Sequence, residues 1–288
     1  MNETHKTISD IVAYIKVKLL NSYPEHEIEN FSYLIFEYLL NYTKIDLHIH
    51  SNEIISNSIV KKIFEITNDL KKNKPIQYIF GKTEFYGLPF KLSSNVMIPR
   101  QETEELVNWI IKENSKKNIK ILDIGTGSGC IAVALAKFLN NSTIEAMDIS
   151  EKAIDLAENN AKLNKVYVKF YLYNILQHEE NQMHTKYDII VSNPPYIKES
   201  EKSILPLNVL NYEPKEALFV PDSDPLMFYR AIAKFGLQNL SKKGKIYFEI
   251  NESLPDDVKN ELFKYRYKKI ETRKDINGKY RMVKAYRN

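Results

Sequence analysis

Along the N-terminal part of the chain, apolar positions recur every three or four residues. Ile8, Ile11, Val12, Ile15 and Leu19 make one stripe; Ile28, Phe31, Leu34, Ile35, Tyr38 and Leu39 a second; Ile59, Ile63, Ile66 and Leu70 a third. At 3.6 residues per turn each set falls on one face of a helix, and such faces must bury one another. Residues 5 to 73 are therefore expected to form a small antiparallel helical bundle, closed by Lys74-Pro75. The segment YIFGKTEFYGLPFKL changes character. Its aromatic and apolar residues, set around Gly81, Gly87 and Pro89, read as a β-hairpin between two domains.

From about residue 96 the rhythm becomes one of strands alternating with helices. IKILDIG (119–125), TIEAMDI (143–149), VYVKFYLY (166–173), YDIIVS (187–192) and KIYFEI (245–250) read as buried strands. Helices are expected over Cys130 to Leu139, over Glu151 to Leu163 behind the N-cap Ser150, and from Asp224-Pro225 to about Leu240, with Gly244 as the stop. Such alternation predicts an α/β fold, a doubly wound and mainly parallel sheet with helices on both faces. Three parts follow: a helical region 1–75, a hairpin linker 76–95 and an α/β domain 96–288. Residues 197 to 225 carry Pro206, Pro214 and Pro221 without a clear period, and loops of that length serve function or motion.

Composition narrows the class. The chain has 288 residues, 43% hydrophobic and 27% charged, which places it among folded globular proteins rather than disordered or fibrous ones. Forty-one Lys and Arg against 37 Asp and Glu leave a net charge of +4, too mild for a dedicated duplex-DNA binder. No basic segment followed by an apolar core opens the sequence and no run approaches a membrane span, so a cytoplasmic protein is expected. Cys130 is the single cysteine, which removes intramolecular disulfides and cysteine-built metal sites. Asp46, His48 and His50 in DLHIH would suit a metal if alternate residues of a strand presented them. Without further ligands nearby they are expected to be surface residues between helices, and no metal is expected.

Two motifs carry the chemistry. LDIGTGSGCIAVAL places Gly125, Gly127 and Gly129 where a strand gives way to a helix, so the backbone can take positive φ and approach a ligand closely. The spacing G-x-G-x-G departs from the dinucleotide fingerprint G-x-G-x-x-G. Asp148 ends the next strand, from which a carboxylate can accept hydrogen bonds from ribose hydroxyls. Asp123 precedes the loop, and together these residues predict a ribose-containing ligand. This segment resembles the S-adenosylmethionine loop of class I methyltransferases.

The second motif is Asn193-Pro194-Pro195-Tyr196, directly after the strand YDIIVS. Two prolines cannot continue a sheet ladder, so the strand ends there and the turn is held rigidly at its carboxyl end, where α/β sheets bind ligands. An amide NH2 is a poor nucleophile because its lone pair is delocalised into the carbonyl. Activation requires acceptors: the Asn193 side-chain oxygen and the Pro194 carbonyl can each take one N–H, favouring the positive charge that grows on nitrogen. Tyr196 can stack on a flat substrate, and the prolines set the alignment that an in-line displacement needs. Glu249, ending KIYFEI at the same sheet edge, reads equally as a site contact, a cap or an ion-pair partner.

The tetrapeptide also occurs in enzymes that methylate the exocyclic amine of adenine in DNA, which is the alternative reading; a non-catalytic cofactor-binding module is a third. PIQYIFGKTEFYGLPFKLSSNVMIPRQETEELV (75–107), taken with the glycine loop and VSNPPYI, closely resembles the HemK/PrmC family of protein-(glutamine-N5) methyltransferases, which act on class 1 peptide-chain release factors. The resemblance implies a Rossmann-like class I methyltransferase domain over 96–288. It implies S-adenosylmethionine held by Gly125, Thr126, Gly127, Ser128, Gly129, Asp148, Asn174, Ile175 and Asn193. It places the substrate glutamine at Asn193, Pro194, Pro195 and Tyr196, with Asn193, Pro194 and Tyr196 catalytic. Two departures stand out. Gln101 replaces a proline in Arg100-Gln101-Glu102-Thr103-Glu104, and Asn174-Ile175 stands where the family often has an aspartate and an aromatic residue.

Overall fold

The computed structural model describes residues 6–115, 118–177 and 185–288, and the chain divides into two compact units. The first holds Met1–Gly81 together with Pro206–Tyr212; the second holds Lys82–Leu205 and Glu213–Asn288.

In the first unit the three apolar stripes become α1 (Ile8–Leu19), α2 (Glu25–Leu40) and α4 (Asn57–Lys71), separated by the short α3 (Lys44–Ile49). Ile11, Ile15, Leu19, Ile35, Phe36, Ile63 and Leu70 are fully buried in one core, which is why the stripes form helices here. Thr7 and Asp10 close a reciprocal cap on α1, and Thr43 and Asp46 do the same on α3. DLHIH is thus helical: Asp46 is spent on its cap, His48 is exposed and His50 Nδ1 lies 3.0 Å from Glu53. Among the described residues no His, Cys, Asp and Glu gather as a metal would need, and no helix is long and apolar enough to cross a membrane. Residues 76–80, read above as hairpin, form α5 (Ile76–Phe80), ended by Gly81 in the left-handed region at φ 64°. Tyr212 joins this unit by donating to the Lys72 carbonyl at 2.9 Å.

The second unit opens with the hairpin β1 (Lys82–Phe85) and β2 (Leu88–Lys91), then α6 (Gln101–Asn114). β3 (Lys120–Ile124), α7 (Cys130–Phe138), β4 (Thr143–Asp148), α8 (Glu151–Leu163), β5 (Lys169–Leu172) and β6 (Tyr187–Ser192) supply the expected alternation. The stretch 197–225 is built rather than loose: β7 (Ile197–Lys198), a 3₁₀ turn, α9 (Leu207–Tyr212), a second 3₁₀ turn and β8 (Phe219–Val220). Then come α10 (Met227–Asn239), β9 (Leu240–Glu249), α11 (Pro255–Lys264), β10 (Lys268–Lys274) and β11 (Tyr280–Tyr286). Gly244, expected to stop the helix, lies inside β9, which starts at Leu240.

The main sheet has the order β10-β11-β9-β6-β3-β4-β5. The five strands from β9 to β5 are parallel, while β11 pairs antiparallel with both β9 and β10. Successive residues of a strand face opposite sides, so one strand feeds two cores. Ile121, Ile189, Val191 and Tyr247 join the core under α6 and α7, whereas Leu122, Ile190, Ile246 and Phe248 join the core under α10 and α11. The fold is the doubly wound sheet that the alternation predicts.

Helix α6 is clamped along β9. Near its C-terminal end, Glu113 accepts from Trp109 Nε1 (2.7 Å), Tyr247 Oη (2.8 Å), Lys245 Nζ (3.0 Å) and Lys284 Nζ (2.7 Å). Burial works against this charge, but the donors Lys284, Lys245, Tyr247 and Trp109 outweigh it and hold the carboxyl well below the usual carboxylate range. Glu113→Ala is expected to cost about 2–3 kcal/mol at neutral pH, because four donors lose their acceptor together. A depressed folded-state value means that the contribution is present above the ordinary glutamate value of about 4.3 and fades as the pH falls below it. Urea unfolding of both proteins from neutral to acid pH reads this as a stability gap that narrows only on the acid side.

Candidate active site

The carboxyl ends of β3, β4, β5 and β6 together define the site. After β3, the loop turns through Gly125 (φ 73°), Gly127 (φ 53°) and Gly129 (φ 80°), a conformation that side-chain-bearing residues resist. Gly125 N and Thr126 N donate to Met147 O at 2.9 and 3.0 Å, which pins the loop to β4. A Cβ on Gly125 or Gly127 would meet nothing within 4 Å, so both glycines border open space where a ligand can lie against the backbone. Gly129 differs: a Cβ there would stand 2.9 Å from Ala157 Cβ, so its bareness serves the packing of α7 on α8. Ser128 is buried, and its carbonyl accepts from Asn160 Nδ2 at 2.9 Å.

Asp148 lies at the end of β4. Its carboxylate accepts from Gly127 N (2.8 Å) and Ser150 N (2.9 Å), and burial raises its pKa against those bonds. Asp123 is fully buried; one oxygen accepts from Thr126 Oγ1 at 2.7 Å and the other has no hydrogen-bond partner. Burial pushes this carboxyl up to about 7, opposed by Thr126 and assisted by the charge of Asp148. Asn174 follows β5 with its side chain committed locally, accepting from Leu176 N and donating to Gln177 Oε1, both at 3.0 Å. Ile175 is buried in the core under α10.

β6 lies next to β3, and Ser192 Oγ donates to Ile124 O at 2.7 Å, tying the two strand ends together. The Asn193-Pro194-Pro195-Tyr196 turn thus opens beside the glycine loop. Pro194 is buried; Asn193, Pro195 and Tyr196 are half-buried. Asn193 Nδ2 donates to Thr103 Oγ1 at 3.2 Å, Thr103 Oγ1 donates to Glu249 Oε2 at 2.6 Å, and Tyr196 Oη donates to Glu249 Oε1 at 3.1 Å. Thr103 and Glu249 are 2% and 1% exposed. Of the roles open to Glu249, the geometry selects contact with the turn, through hydroxyl donors. Burial raises its pKa, offset by the bonds from Thr103 and Tyr196 and by the positive charge of Arg281. Burial first, then the Glu249 charge, pushes the Tyr196 hydroxyl up. The Tyr196 carbonyl accepts from Asn251 Nδ2 at 3.1 Å, so the turn is held at both ends.

Two family models match the chain: a PrmC N-terminal domain over residues 12–81 and a methyltransferase small domain over 101–211. A release factor glutamine methyltransferase of Flavobacterium psychrophilum is 48% identical over 93% of this chain and 94% of its own length. One of Bacteroides thetaiotaomicron is 43% identical over 96% and 99%. The chain belongs to the release factor glutamine methyltransferase family. As a family member it also shares its fold with a Pyrococcus furiosus methyltransferase, at TM-score 0.52 and 17% identity over 80% of this chain and 98% of that one. A Thermus thermophilus 16S rRNA methyltransferase in complex with AdoMet and guanosine aligns at TM-score 0.52 and 14% identity, over 72% and 50%.

In this family member the structure gathers the loop 125–129, Asp148 and Asn193 to Tyr196 at one sheet edge, while Ile175 is a core residue and Asn174 is engaged in its own turn. Three contributors escaped the sequence reading or its certainty: Thr103, Asn160 and Glu249. The family's proline would fall at the first position of α6, where a missing N–H costs nothing. Gln101 keeps that helix start, and the neighbouring Arg100 pairs with the buried Glu213. The contrast between glycines is testable by unfolding and by cofactor titration. Gly129→Ala is expected to lose about 2–3 kcal/mol from strain plus the Ala157 clash. Gly127→Ala is expected to lose only about 1–2 kcal/mol while weakening S-adenosylmethionine binding about tenfold or more, its methyl entering the open space beside the loop.

Proposed function

We propose that this chain transfers a methyl group from S-adenosylmethionine to the side-chain nitrogen, N5, of the glutamine in the Gly-Gly-Gln motif of class 1 peptide-chain release factors. The named activity of its relatives supports this over adenine methylation, and so does the PrmC N-terminal match over 12–81. The single observation that carries the chemistry is the pose of Asn193: its NH2 is taken by Thr103, so its oxygen is the atom left to face an incoming amide.

The residues present fit the cofactor. The bare faces of Gly125 and Gly127 offer room, Thr126 and Ser128 shape the loop, and the Asp148 carboxylate offers acceptors to ribose. When bound, S-adenosylmethionine supplies an electrophilic methyl carbon whose leaving group is a neutral thioether. Asn193 Oδ1 and the Pro194 carbonyl each accept one N–H of the substrate carboxamide, raising electron density on nitrogen and aiming it. Pro194 and Pro195 fix that geometry before the substrate arrives, and Tyr196 stacks on the amide plane while Glu249 holds its hydroxyl. Asn174, two residues past the end of β5, is the residue of this edge that contacts adenine. No strong base is required, since the nitrogen sheds its proton to water after the methyl has moved.

The helical first unit docks the protein substrate, which is how a glutamine on the correct partner is told from any other. The mild net charge of +4 suits a protein partner rather than nucleic acid. The reaction then belongs to translation termination in the cytoplasm. Asn193→Ala is expected to lower turnover by about 10²–10³-fold, comparable to removing one fixed transition-state contact, with cofactor affinity nearly kept. Mass spectrometry of the release factor's Gly-Gly-Gln peptide reads the result: one added methyl with the wild type, almost none with the variant, and no transfer to DNA by either. Equal methylation by both proteins removes Asn193 from the reaction.

A further inference from the structure

We propose that Thr103 and Glu249 form a directional relay that sets which end of the Asn193 carboxamide faces the substrate. The relay rests on the glutamine-methylating role of Asn193 given above. A carboxamide has an acceptor end and a donor end of nearly equal size, and turning it over costs little unless neighbours distinguish the two. At this site only the acceptor end is useful, because the substrate NH2 brings donors. An Asn193 turned over would meet NH2 with NH2.

The chain settles the choice two bonds away. An ionised carboxylate only accepts, so Glu249 Oε2, 2.6 Å from Thr103 Oγ1, forces that hydroxyl to donate its one proton inward. The Thr103 oxygen then has only lone pairs to offer Asn193 and can take Nδ2, at 3.2 Å, but not Oδ1. Asn193 Oδ1 is left pointing away from Thr103 as a free acceptor. The second Glu249 oxygen accepts from Tyr196 Oη, so the same carboxylate orients both side chains of the turn. Thr103 and Glu249 are buried, so bulk water does not compete for either bond.

The sense of the relay depends on the charge of Glu249. Protonated, its carboxyl could donate to Thr103, whose hydroxyl would then be free to donate to Asn193 and hold the oxygen in the wrong direction. The groups that face Glu249 are Thr103 and Glu102 of α6, Tyr196 of the turn, Tyr229 of α10, Cys130 of α7 and Arg281 of β11. Tyr229 Oη donates to the Glu249 backbone carbonyl at 3.2 Å, while Arg281 is shared with Asp275, Glu252 and the Ile250 carbonyl. Burial leaves Glu249 titrating above the ordinary glutamate range, so turnover is lost as the pH falls through that raised value.

Three variants test the relay: Thr103→Val, which keeps the shape and removes the hydroxyl; Thr103→Ser, which keeps the hydroxyl; and Glu249→Gln, which can donate to Thr103 at every pH. Steady-state methylation of a release factor is measured across pH, with S-adenosylmethionine affinity and thermal midpoint alongside. The expected result is a fall in kcat of about 10–100-fold for Thr103→Val and Glu249→Gln, the scale of a misdirected contact, with cofactor affinity kept and Thr103→Ser close to wild type. The acid limb of the wild-type kcat profile should vanish in Glu249→Gln. Full kcat in Thr103→Val, an equal fall in Thr103→Ser, or an acid limb that survives in Glu249→Gln overturns the relay. Glu249→Gln carries the same test should Thr103→Val not fold. A wild type that leaves glutamine unmodified overturns the reading of the site and the relay with it; active wild type beside equally active Thr103→Val overturns the relay alone.

Discussion

The structure depends most on the reversal of winding at β3. From β3 the chain steps one way to β4 and β5, then crosses back to place β6 on the other side of β3. Connections leaving in opposite directions part at that point, and a crevice opens over the strand ends because no loop has to bridge it. Both motifs occupy its two sides, one after β3 and the other after β6. The hydrogen bond from Ser192 to the Ile124 carbonyl draws those sides together, so the distance between glycine loop and turn is a property of the sheet.

The second requirement is a fixed α6. This helix contributes Thr103 from its first turn and Glu113 from its last, and both meet β9, at Glu249 and at Lys245 and Tyr247. The two contacts differ in kind. Glu113 gathers cations and stays charged with ease, whereas Glu249 is satisfied by hydroxyls and burial raises its pKa. One end gathers charge onto the sheet; the other sets a buried carboxyl against the Asn193–Tyr196 turn. On the far flank Asn160 plays a similar part, bonding to Lys91 of the hairpin on both its N–H and carbonyl while holding the Ser128 carbonyl. The hairpin thereby supports the glycine loop from outside the sheet.

Much of this was legible because hydrophobic period and turn chemistry agree. The stripes of α1, α2 and α4, the five parallel strands and the two motifs are local patterns, and tertiary packing reinforced them. What escaped was built from long-range pairing. Lys284 interrupts the apolar run of β11 but is buried because Glu113 and Glu271 neutralise it. β10 is an edge strand whose Lys, Arg and Glu hide its alternation. Thr103 sits in Gln-Glu-Thr-Glu-Glu, which reads as a solvated helix start; that its hydroxyl faces Glu249, 146 positions later, is no local property. Ile175 differs in kind: a motif position carried the expectation of a cofactor contact, while its apolar side chain follows burial into the core. The segment 197–225 defeated a single-period reading because it changes element every few residues.

That segment also orders events in time. Residues Pro206–Tyr212 belong to the first unit although they lie after β6 in the chain, so the N-terminal bundle is discontinuous in sequence. During synthesis the bundle helices emerge first, yet the last piece of their unit leaves the ribosome only after β3, β4, β5 and β6 have been made. Assembly of the two units is therefore interleaved, and neither can be excised by one cut without taking part of the other.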